Sequence, residues 1–208
     1  NTAASAIKIG TAATTVKAKG ADAAVALTID AATVGGTAGA LTIGDGGAVA
    51  GDIAVTGIES NVSIADAFTG TGDITLTTAD ASMTLALGTS TTGTKTINAS
   101  TSAADKTVTV TGSDALTLTS ATTDLDLEAY AGAVSGQITN TDNMTIKTGT
   151  GATGLMLKGN TSAKTVTIDA DAGSGTGGAL SLANGGSVQG LVAISGLEGG
   201  LTIADDYA

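Results

Sequence analysis

The sequence predicts an all-β fold, a β-solenoid-like stack of strands with an internal repeat and almost no helix. Apolar and polar residues alternate with a period of two from AIKIG (6–10) to LTIAD (201–205), which is the pattern of half-buried strands. Turn residues separate these segments, whose centres lie about 8 to 14 residues apart. No window of useful length shows the period of about 3.6 residues of an amphipathic helix. We therefore expect one continuous β body over residues 1–208.

The second observation is an internal repeat in which residues 24–68 match residues 163–207 without a gap. The copies are offset by 139 positions and are identical at 20 of 45 positions. A chain this rich in Ala, Thr and Gly would give roughly one identity in eight by chance, so the repeat is genuine. Residues 69–162 form a divergent middle with the same strand character. Such a repeat favours an architecture in which one structural unit stacks on the next.

The alternation also predicts which side chains face the interior. In KTVTVTG (106–112), Val108 and Val110 face one way, and Thr107, Thr109 and Thr111 face the other. We expect the valines in the core and the threonines on a solvated face or in lateral pairs across strands. The eight lysines lie in similar alternating segments, and we expect them on a solvated outer face.

Two features of the sequence disagree about how the strands pair. Residues 44–47 (GDGG) and their counterpart 183–186 (ANGG) are predicted turns, and Asp-Gly and Asn-Gly pairs are typical of antiparallel hairpins. The chain has only two Tyr and one Phe, however, and its small apolar side chains suit a narrow solenoid with closely stacked rungs. The solenoid is the preferred prediction, and an antiparallel β-sandwich or barrel is the alternative.

Composition excludes most kinds of chemistry. The chain contains no Cys and no His, which removes most metal ligands and most nucleophile–base pairs. The net charge of −11 disfavours nucleic acid, whose binding requires a basic surface. No apolar run reaches the roughly 18 residues of a transmembrane helix. We therefore predict a protein that is not an enzyme and that has neither a nucleic-acid partner nor a transmembrane segment.

Paired carboxylates are the remaining catalytic candidates. Asp124, Asp126 and Glu128 alternate with leucines, so they would share one face of a strand. Such a row could bind a cation or act on a glycoside. A sugar-cleaving cleft usually also offers aromatic platforms, which this chain lacks. An enzyme on a β-helix that acts on polysaccharides is therefore the least favoured hypothesis, and a solvated acidic face is the expectation.

Calcium is the one cofactor that the sequence suggests. Calcium binds several carboxylate or carbonyl oxygens from a flexible loop, and acids recur in the predicted turns of both copies. The spacing matches neither an EF-hand nor the glycine-rich nonapeptide of calcium-binding β-rolls. The candidate ligands are Asp30, Asp45, Asp169, Asp171, Asp205 and Asp206.

The N-terminal segment is a candidate for assembly between copies of the chain. Residues 1–23 precede the first repeat copy and have no counterpart in the second by this alignment. Within them, residues 1–18 carry Ile7 and Ile9 in alternation, as a strand donated to a neighbouring subunit would. A head-to-tail contact that does not close would then produce a filament.

Aromatic residues mark a second candidate for assembly. Phe68 and Tyr207 hold equivalent positions in the two copies, each shortly after an Ile-Ala-Asp. A matched position indicates a matched role, either a plug that closes one end of each copy or an anchor that enters a neighbouring subunit.

The composition resembles that of Gly/Thr/Ala-rich β-strand-repeat proteins of prokaryotic surfaces, such as filament subunits, surface-layer proteins and adhesin stalks. The resemblance covers the whole chain and implies a secreted, non-catalytic, self-associating structural protein at the cell surface. The start at Asn1, with no initiator methionine, is typical of a mature product after removal of a signal peptide or of an excised fragment, and we expect an extracellular location. The alternative is a binding module of the adhesin or phage-fibre type, with cell-surface glycans as partners.

Overall fold

The fold is a β-solenoid with two parallel sheets, which confirms the preferred prediction. In the computed structural model, residues 4–20, 25–65, 71–88, 93–99, 105–139, 141–158, 164–186 and 190–204 are described. These residues form 19 strands and no helix. Consecutive strands alternate between the two sheets, so each coil of the chain adds one strand to each sheet.

The odd-numbered strands form sheet A, and the even-numbered strands form sheet B. Sheet A contains β1 (Ser5–Lys8), β3 (Leu27–Asp30), β5 (Ile53–Ile58), β7 (Ile74–Thr78), β9 (Lys95–Ala99), β11 (Leu116–Ala121), β13 (Val134–Thr139), β15 (Thr153–Lys158), β17 (Leu180–Asn184) and β19 (Leu201–Ile203). Sheet B contains β2 (Thr14–Gly20), β4 (Leu41–Val49), β6 (Val62–Ile64), β8 (Met83–Ala86), β10 (Thr107–Thr111), β12 (Asp124–Asp126), β14 (Met144–Lys147), β16 (Thr165–Asp169) and β18 (Leu191–Ser195). All strand pairings within these sheets are parallel.

The inward faces of the two sheets form one aliphatic core. Val108 and Val110 are fully buried, while the threonines on either side of them are half-buried, as the alternation predicted. The same inward column runs through the neighbouring strands as Ile, Leu, Met and Val. Burying each such side chain contributes about 1.5–3 kcal/mol, so many small contacts replace the aromatic core of an ordinary domain.

Coil length varies, which is why no regular period is visible in the sequence. Thr107 pairs with Asp124, 17 positions later, whereas Thr14 pairs with Leu41, 27 positions later. Most of the additional residues lie in the turns, and the register shifts within three pairings, β2 with β4, β5 with β7 and β9 with β11. The longest turns occupy residues 31–40 and 170–179, at the same place in the two repeat copies.

The predicted hairpins at residues 44–47 and 183–186 are wrong. The strand β4 continues through residues 44–47, where Gly44 pairs with Lys17 in a parallel ladder. Ala183 and Asn184 belong to β17, and bends occur only at residues 185–186. A hairpin requires the next strand along the chain as its partner, but here the next strand always enters the opposite sheet. The alternative of an antiparallel sandwich or barrel is therefore also wrong.

One corner of the solenoid requires glycine because successive coils approach closely there. From β5 to β19, the residue two positions before each strand of sheet A is glycine in every coil but one. A Cβ atom on Gly72 would lie 2.1 Å from the carbonyl oxygen of Gly51, and one on Gly93 would lie 2.0 Å from that of Gly72. This glycine column consists of Gly51, Gly72, Gly93, Gly132, Gly151, Gly178 and Gly199, and Asp114 is its one exception.

The internal repeat is longer than the sequence analysis predicted. Strands β1–β6 correspond to β14–β19 at the same offset of 139 positions. Residues 1–23 and 140–162 are identical at 10 of 23 positions, including Ile7 with Ile146 and Lys8 with Lys147. The expectation that the N-terminal segment has no counterpart is therefore wrong. The divergent middle shortens to the coils between β6 and β14.

The two repeat blocks lie in opposite sheets. Because corresponding strands are 13 places apart in chain order, β1, β3 and β5 are in sheet A while their counterparts β14, β16 and β18 are in sheet B. The same sequence unit is thus accommodated on either side of the solenoid.

Candidate functional site

Asp30, a predicted calcium ligand, forms hydrogen bonds within the chain. Asp30 ends β3, and its carboxylate accepts hydrogen bonds from the Lys8 ammonium and from the backbone N–H of Ala32, both at 3.0 Å. These two donors, the lysine foremost, hold the pKa of Asp30 below its usual value. By accepting the N–H of Ala32, the Asp30 carboxylate stabilises the start of the long turn after β3. This role is structural.

Asp169 and Asp171 shape the corresponding turn of the second block. The Asp169 carboxylate accepts from the N–H of Asp171 at 3.4 Å, and the Asp171 carboxylate accepts from the N–H of Gly173 at 2.8 Å. Asp30 and Asp169 thus form matched turns in which a side chain bonds the backbone two residues later. The side chain of Asp45 and both Asp205 and Asp206 lie outside the described residues. Among the described residues, no group of three or more acids could hold a metal ion.

A second element that both turns share is a glutamate that accepts a backbone hydrogen bond. Glu59 accepts from the N–H of Ala38 at 3.0 Å, and its counterpart Glu198 accepts from the N–H of Gly177 at 2.7 Å. The bond from Ala38, followed by one from the Thr33 hydroxyl at 2.9 Å, lowers the pKa of Glu59. Through this hydrogen bond, each glutamate connects a long turn to the next coil. Sequence analysis missed this pair.

The row Asp124, Asp126 and Glu128 lies on one outward face, as predicted, with Leu125 and Leu127 buried beneath it. Asp124 accepts from the N–H of Thr145 at 2.7 Å, and Asp126 accepts from the N–H of Glu128 at 3.2 Å.

The third acid of this row forms an ion pair. Glu128 pairs with Lys147 at 3.2 Å and raises the pKa of that lysine. Asp124 therefore caps the next strand, Asp126 stabilises a local turn and Glu128 forms a lateral ion pair. These are structural interactions on the outward face of the sheet.

Polar side chains connect coils elsewhere in the same way. Asp52 accepts from the N–H of Asp73 at 3.0 Å, and Asp73 accepts from the N–H of Thr94 at 2.9 Å, one coil further. On the other sheet, Asn61 accepts from the N–H of Thr84 at 2.8 Å. The Asp and Asn residues at strand starts thus provide hydrogen bonds between coils.

Lys95 contradicts the expectation that all lysines lie outside. Its side chain is 1% exposed, its ammonium forms an ion pair with Asp114, and it also donates to the carbonyl of Gly88 at 3.2 Å. The other described lysines are exposed or half-buried. In β9, Lys95 shares the inward face with Ile97 and Ala99, so the alternation itself placed it inside.

Tyr130 completes this buried polar cluster. Its hydroxyl donates to the Asp114 carbonyl at 2.7 Å, and its ring is 1% exposed. Burial, with a smaller contribution from the Asp114 charge, raises the pKa of Tyr130 to about 12. The cluster of Lys95, Asp114 and Tyr130 occupies the coil where the glycine column is interrupted. We assign this cluster a structural role, because its buried polar groups are joined by an ion pair and a hydrogen bond.

The predicted assembly residues divide into described and undescribed ones. Ile7 is half-buried and Ile9 is buried, and β1 pairs with β3 of its own chain. Donation of this segment to a neighbouring subunit stays a prediction. Phe68 and Tyr207 lie outside the described residues.

The last coil exposes apolar side chains at positions where other coils bury them. Leu201 is 40% exposed and Ile203 is 51% exposed, whereas their partners Leu180 and Leu182 in the preceding coil of sheet A are buried. Among the described strands, β18 and β19 each have a neighbour on one side only. The uncovered inward residues and the open strand edges form a surface that we call the upper end.

The first coil presents a matching surface, the lower end. Strands β1 and β2 also have a described neighbour on one side only, and Ile7 and Val16 are half-buried. The sequence segments that contain the two ends differ in charge. Residues 1–20 contain three lysines and no acid, whereas residues 180–208 contain three acids and no lysine.

The comparisons with known proteins identify no relative. No protein-family model, no curated protein and no solved structure matches this chain. No segment of the described chain forms a helix with the length and apolar character of a membrane span.

Proposed function

We propose that this chain is a non-catalytic structural protein that assembles end to end into an extracellular filament or surface coat. One observation carries the proposal: among the described strands, β1 and β2 at one end and β18 and β19 at the other have an open edge, and the inward side chains Leu201 and Ile203 of the upper end are exposed. The partner is a second copy of the same chain. The compositional resemblance to surface proteins supports the extracellular location.

Open parallel edges favour the addition of further strands. Natural proteins usually block such edges with charges, bulges, prolines or a covering segment. Here the apolar column of the core continues to Leu201 and Ile203 on the upper end. A stacked copy would supply main-chain hydrogen bonds in both sheets and cover these side chains. Because the contact joins two different surfaces, it repeats without closing and gives a filament.

Electrostatics supports the same orientation of the copies. Residues 1–20 contain three lysines, of which Lys8 is paired with Asp30 of its own chain, and residues 180–208 contain three acids, so we expect unlike segments to attract and like segments to repel each other. Screening by salt weakens this preference, since the Debye length falls to about 3 Å at 1 M salt. We therefore expect head-to-tail assembly at low salt and shorter assemblies at high salt.

The experiment is negative-stain electron microscopy of the purified 208-residue chain, with three proteins compared at one concentration. The wild type is expected to form filaments. Ile203→Lys places a charge at an inward position that a stacked copy would bury, so we expect dispersed monomers. Thr202→Lys is the matched control, because Thr202 lies on the outward face of the same strand and stays exposed in a stack.

Dispersed wild-type monomers would overturn the proposal and favour the adhesin-type binding module, which a glycan array would then test. Filaments of Ile203→Lys as long as those of the wild type would exclude the upper end as the contact. A second wild-type sample with chelator tests the calcium prediction separately, since loss of order there would assign a cation role to the acids outside the described residues.

A further inference from the structure

We infer that the outward side of sheet A from β5 to β19, which we call the sheet A face, packs against the same face of a second copy and joins two filaments side by side. The contact rests on the proposed function, because it joins chains that are already stacked end to end. Its basis is the distribution of charge over the two sheets, the surface around Met156 and the area of the face.

The centre of the sheet A face carries no charge. Charged residues border it instead, such as Asp52 and Asp73 directly before β5 and β7, and Lys158 at the end of β15. An uncharged centre with a polar rim is typical of a protein–protein interface. The outward residues between these rims are Ala54, Thr56, Thr75, Thr77, Thr96, Asn98, Thr117, Thr119, Ser135, Gln137, Gly154, Met156, Ser181, Ala183 and Thr202.

The outward face of sheet B differs, because charged side chains lie along its middle. Asp126, Lys147 and Asp169 are neighbours on β12, β14 and β16, and Asp124 lies beside them on β12. Removing such charges from water is costly, whereas the small neutral side chains of sheet A lose little when they are covered. Of the two faces, that of sheet A is therefore the one suited to a dry contact with an identical surface.

The surface around Met156 is complementary to itself. Among the described residues of this face, Met156 is the one large apolar side chain that is exposed, at 45%. Beside it lies a groove of about 310 Å³ that small residues line, including Gly154, Ser181 and Ala183. In a two-fold contact, each Met156 enters the groove of the other copy. Methionine suits this role because its flexible, unbranched side chain fills irregular gaps.

The area of the face indicates that the contact requires filaments. Eight strands about 4.8 Å apart, each about four residues wide at about 3.3 Å per residue, present roughly 500 Å². Two single copies would therefore bury about 1,000 Å² in total, less than the roughly 1,200–2,000 Å² of a stable interface. In two facing filaments every copy repeats the contact, and linked contacts strengthen one another. We expect monomers to stay apart and filaments to pair.

The charge of the chain limits this assembly to two filaments. Once the sheet A faces are joined, the charged face of sheet B stays outside, and copies with a net charge of −11 repel one another there. Salt screens this repulsion, and it also weakens the expected attraction between filament ends. At high salt we therefore expect shorter filaments that are still paired.

Negative-stain electron microscopy of three proteins tests the contact. Thr117 lies on the central strand β11 of the sheet A face, and Thr109 lies on the outward side of β10 in sheet B; both are half-buried. Thr117→Lys places a charge inside the proposed contact, so we expect single filaments as long as those of the wild type. Thr109→Lys is the matched control, and we expect it to form paired filaments like the wild type.

Oxidation of methionine gives a second measurement. The contact covers side chains and adds no main-chain hydrogen bonds, so a side-chain reaction is the suitable readout. Peroxide converts exposed methionine to the sulfoxide, and peptide mass spectrometry locates the change. We expect Met156 to react severalfold more slowly in wild-type filaments than in those of Thr117→Lys. Met83 and Met144 are buried in the core and serve as internal controls.

The outcomes separate this contact from end-to-end assembly. Single wild-type filaments, in which Met156 reacts as fast as in Thr117→Lys, would overturn the lateral contact and leave the proposed function intact. Paired filaments of Thr117→Lys would overturn it as well, and loss of pairing in Thr109→Lys alone would place the contact on sheet B. Dispersed wild-type monomers would overturn both the lateral contact and the proposed function.

Discussion

The two repeat blocks contain the same six-strand unit, yet their corresponding strands differ in what covers them. Ile64 in β6 is 2% exposed because β8 lies next to it, whereas its counterpart Ile203 in β19 is 51% exposed. At the other end, Ile146 is fully buried above β12, and its counterpart Ile7 is only half-buried. The residues are identical in both pairs, so the neighbouring coil alone decides their burial.

This comparison indicates that an end coil is already suited to receive another coil. The long turn and its capping carboxylates in the second block reproduce those of the first, where a further coil follows, although β17 has five residues and its counterpart β4 has nine. Asp30 and Asp169 bond the same backbone position, as do Glu59 and Glu198. The substitutions below test how far this equivalence holds.

The largest effect is expected in the coil between the two blocks, which departs from their pattern. Asp114→Ala leaves the buried Lys95 ammonium without its carboxylate, and we expect unfolding to become easier by about 3–5 kcal/mol. Chemical denaturation followed by circular dichroism measures this change.

The double variant Lys95→Leu/Asp114→Gly is the control. It installs the apolar residue and the glycine that most other coils have at these positions. Replacing a buried ion pair by well-packed apolar groups is often neutral or stabilising, so we expect stability close to that of the wild type. A double variant as unstable as Asp114→Ala would show that this coil needs its polar cluster.

The identical isoleucines provide the next comparison. Ile64→Ala is expected to cost about 2–5 kcal/mol of unfolding free energy, because it leaves a cavity in a covered coil. Ile203→Ala is expected to cost less than about 1 kcal/mol in the monomer, since half of that side chain is already exposed. Denaturation at a concentration below assembly measures both, and equal costs would contradict the account.

Matched glycines test whether the two sheets are equivalent. Gly57 has φ +63°, and a Cβ atom there would lie 2.7 Å from the Cβ of Ala32. Gly196 has φ +62° and the same 2.7 Å approach to the Cβ of Asp171.

We expect Gly57→Ala and Gly196→Ala each to cost about 1–3 kcal/mol in thermal melts, because alanine is strained at this φ. Gly10→Ala is the control, with no atom within 4 Å of the added Cβ. A large cost at only one of the two matched positions would mean that the sheets differ locally.

The smallest expected effect is the acid dependence of the long turn. The lowered pKa of Glu59 means that its stabilising contribution is complete above the ordinary value of 4.5 and is lost as the pH falls through the lower, folded-state value. Thermal melts of Glu59→Gln should therefore lose less stability than the wild type between neutral pH and strongly acidic pH. Identical pH profiles would show that the turn does not depend on this carboxylate.

Most of the fold could be predicted from the sequence, and the strand pairing could not. Alternation located Val108, Val110 and the row Asp124, Asp126 and Glu128, because facing direction is a local property of a strand. Parallel pairing depends on where the chain goes after each strand, which is not a local property. The Asp-Gly pair at residues 45–46 predicted a hairpin turn, but β4 continues through these residues. Ten matched residues of the N-terminal segment were missed because they are spread among small, variable neighbours.

The candidate site was less predictable for a physical reason. Carboxylates that cap backbone N–H groups and carboxylates that bind calcium have the same residue types in the same turns, and only the hydrogen-bond partners distinguish them. Asp30 and Asp169 are examples, since their partners lie two residues later along the chain. Lys95 could have been found, because its alternation with Ile97 pointed inward.

The most direct test of the central claim is amide hydrogen exchange of the wild type, measured peptide by peptide as the protein concentration rises. The account predicts that protection increases in residues 5–20 and 191–203, where β1, β2, β18 and β19 have open edges, while the central strands stay unchanged. Protection that increases on the central strands, or that does not change with concentration anywhere, would contradict end-to-end assembly of this solenoid.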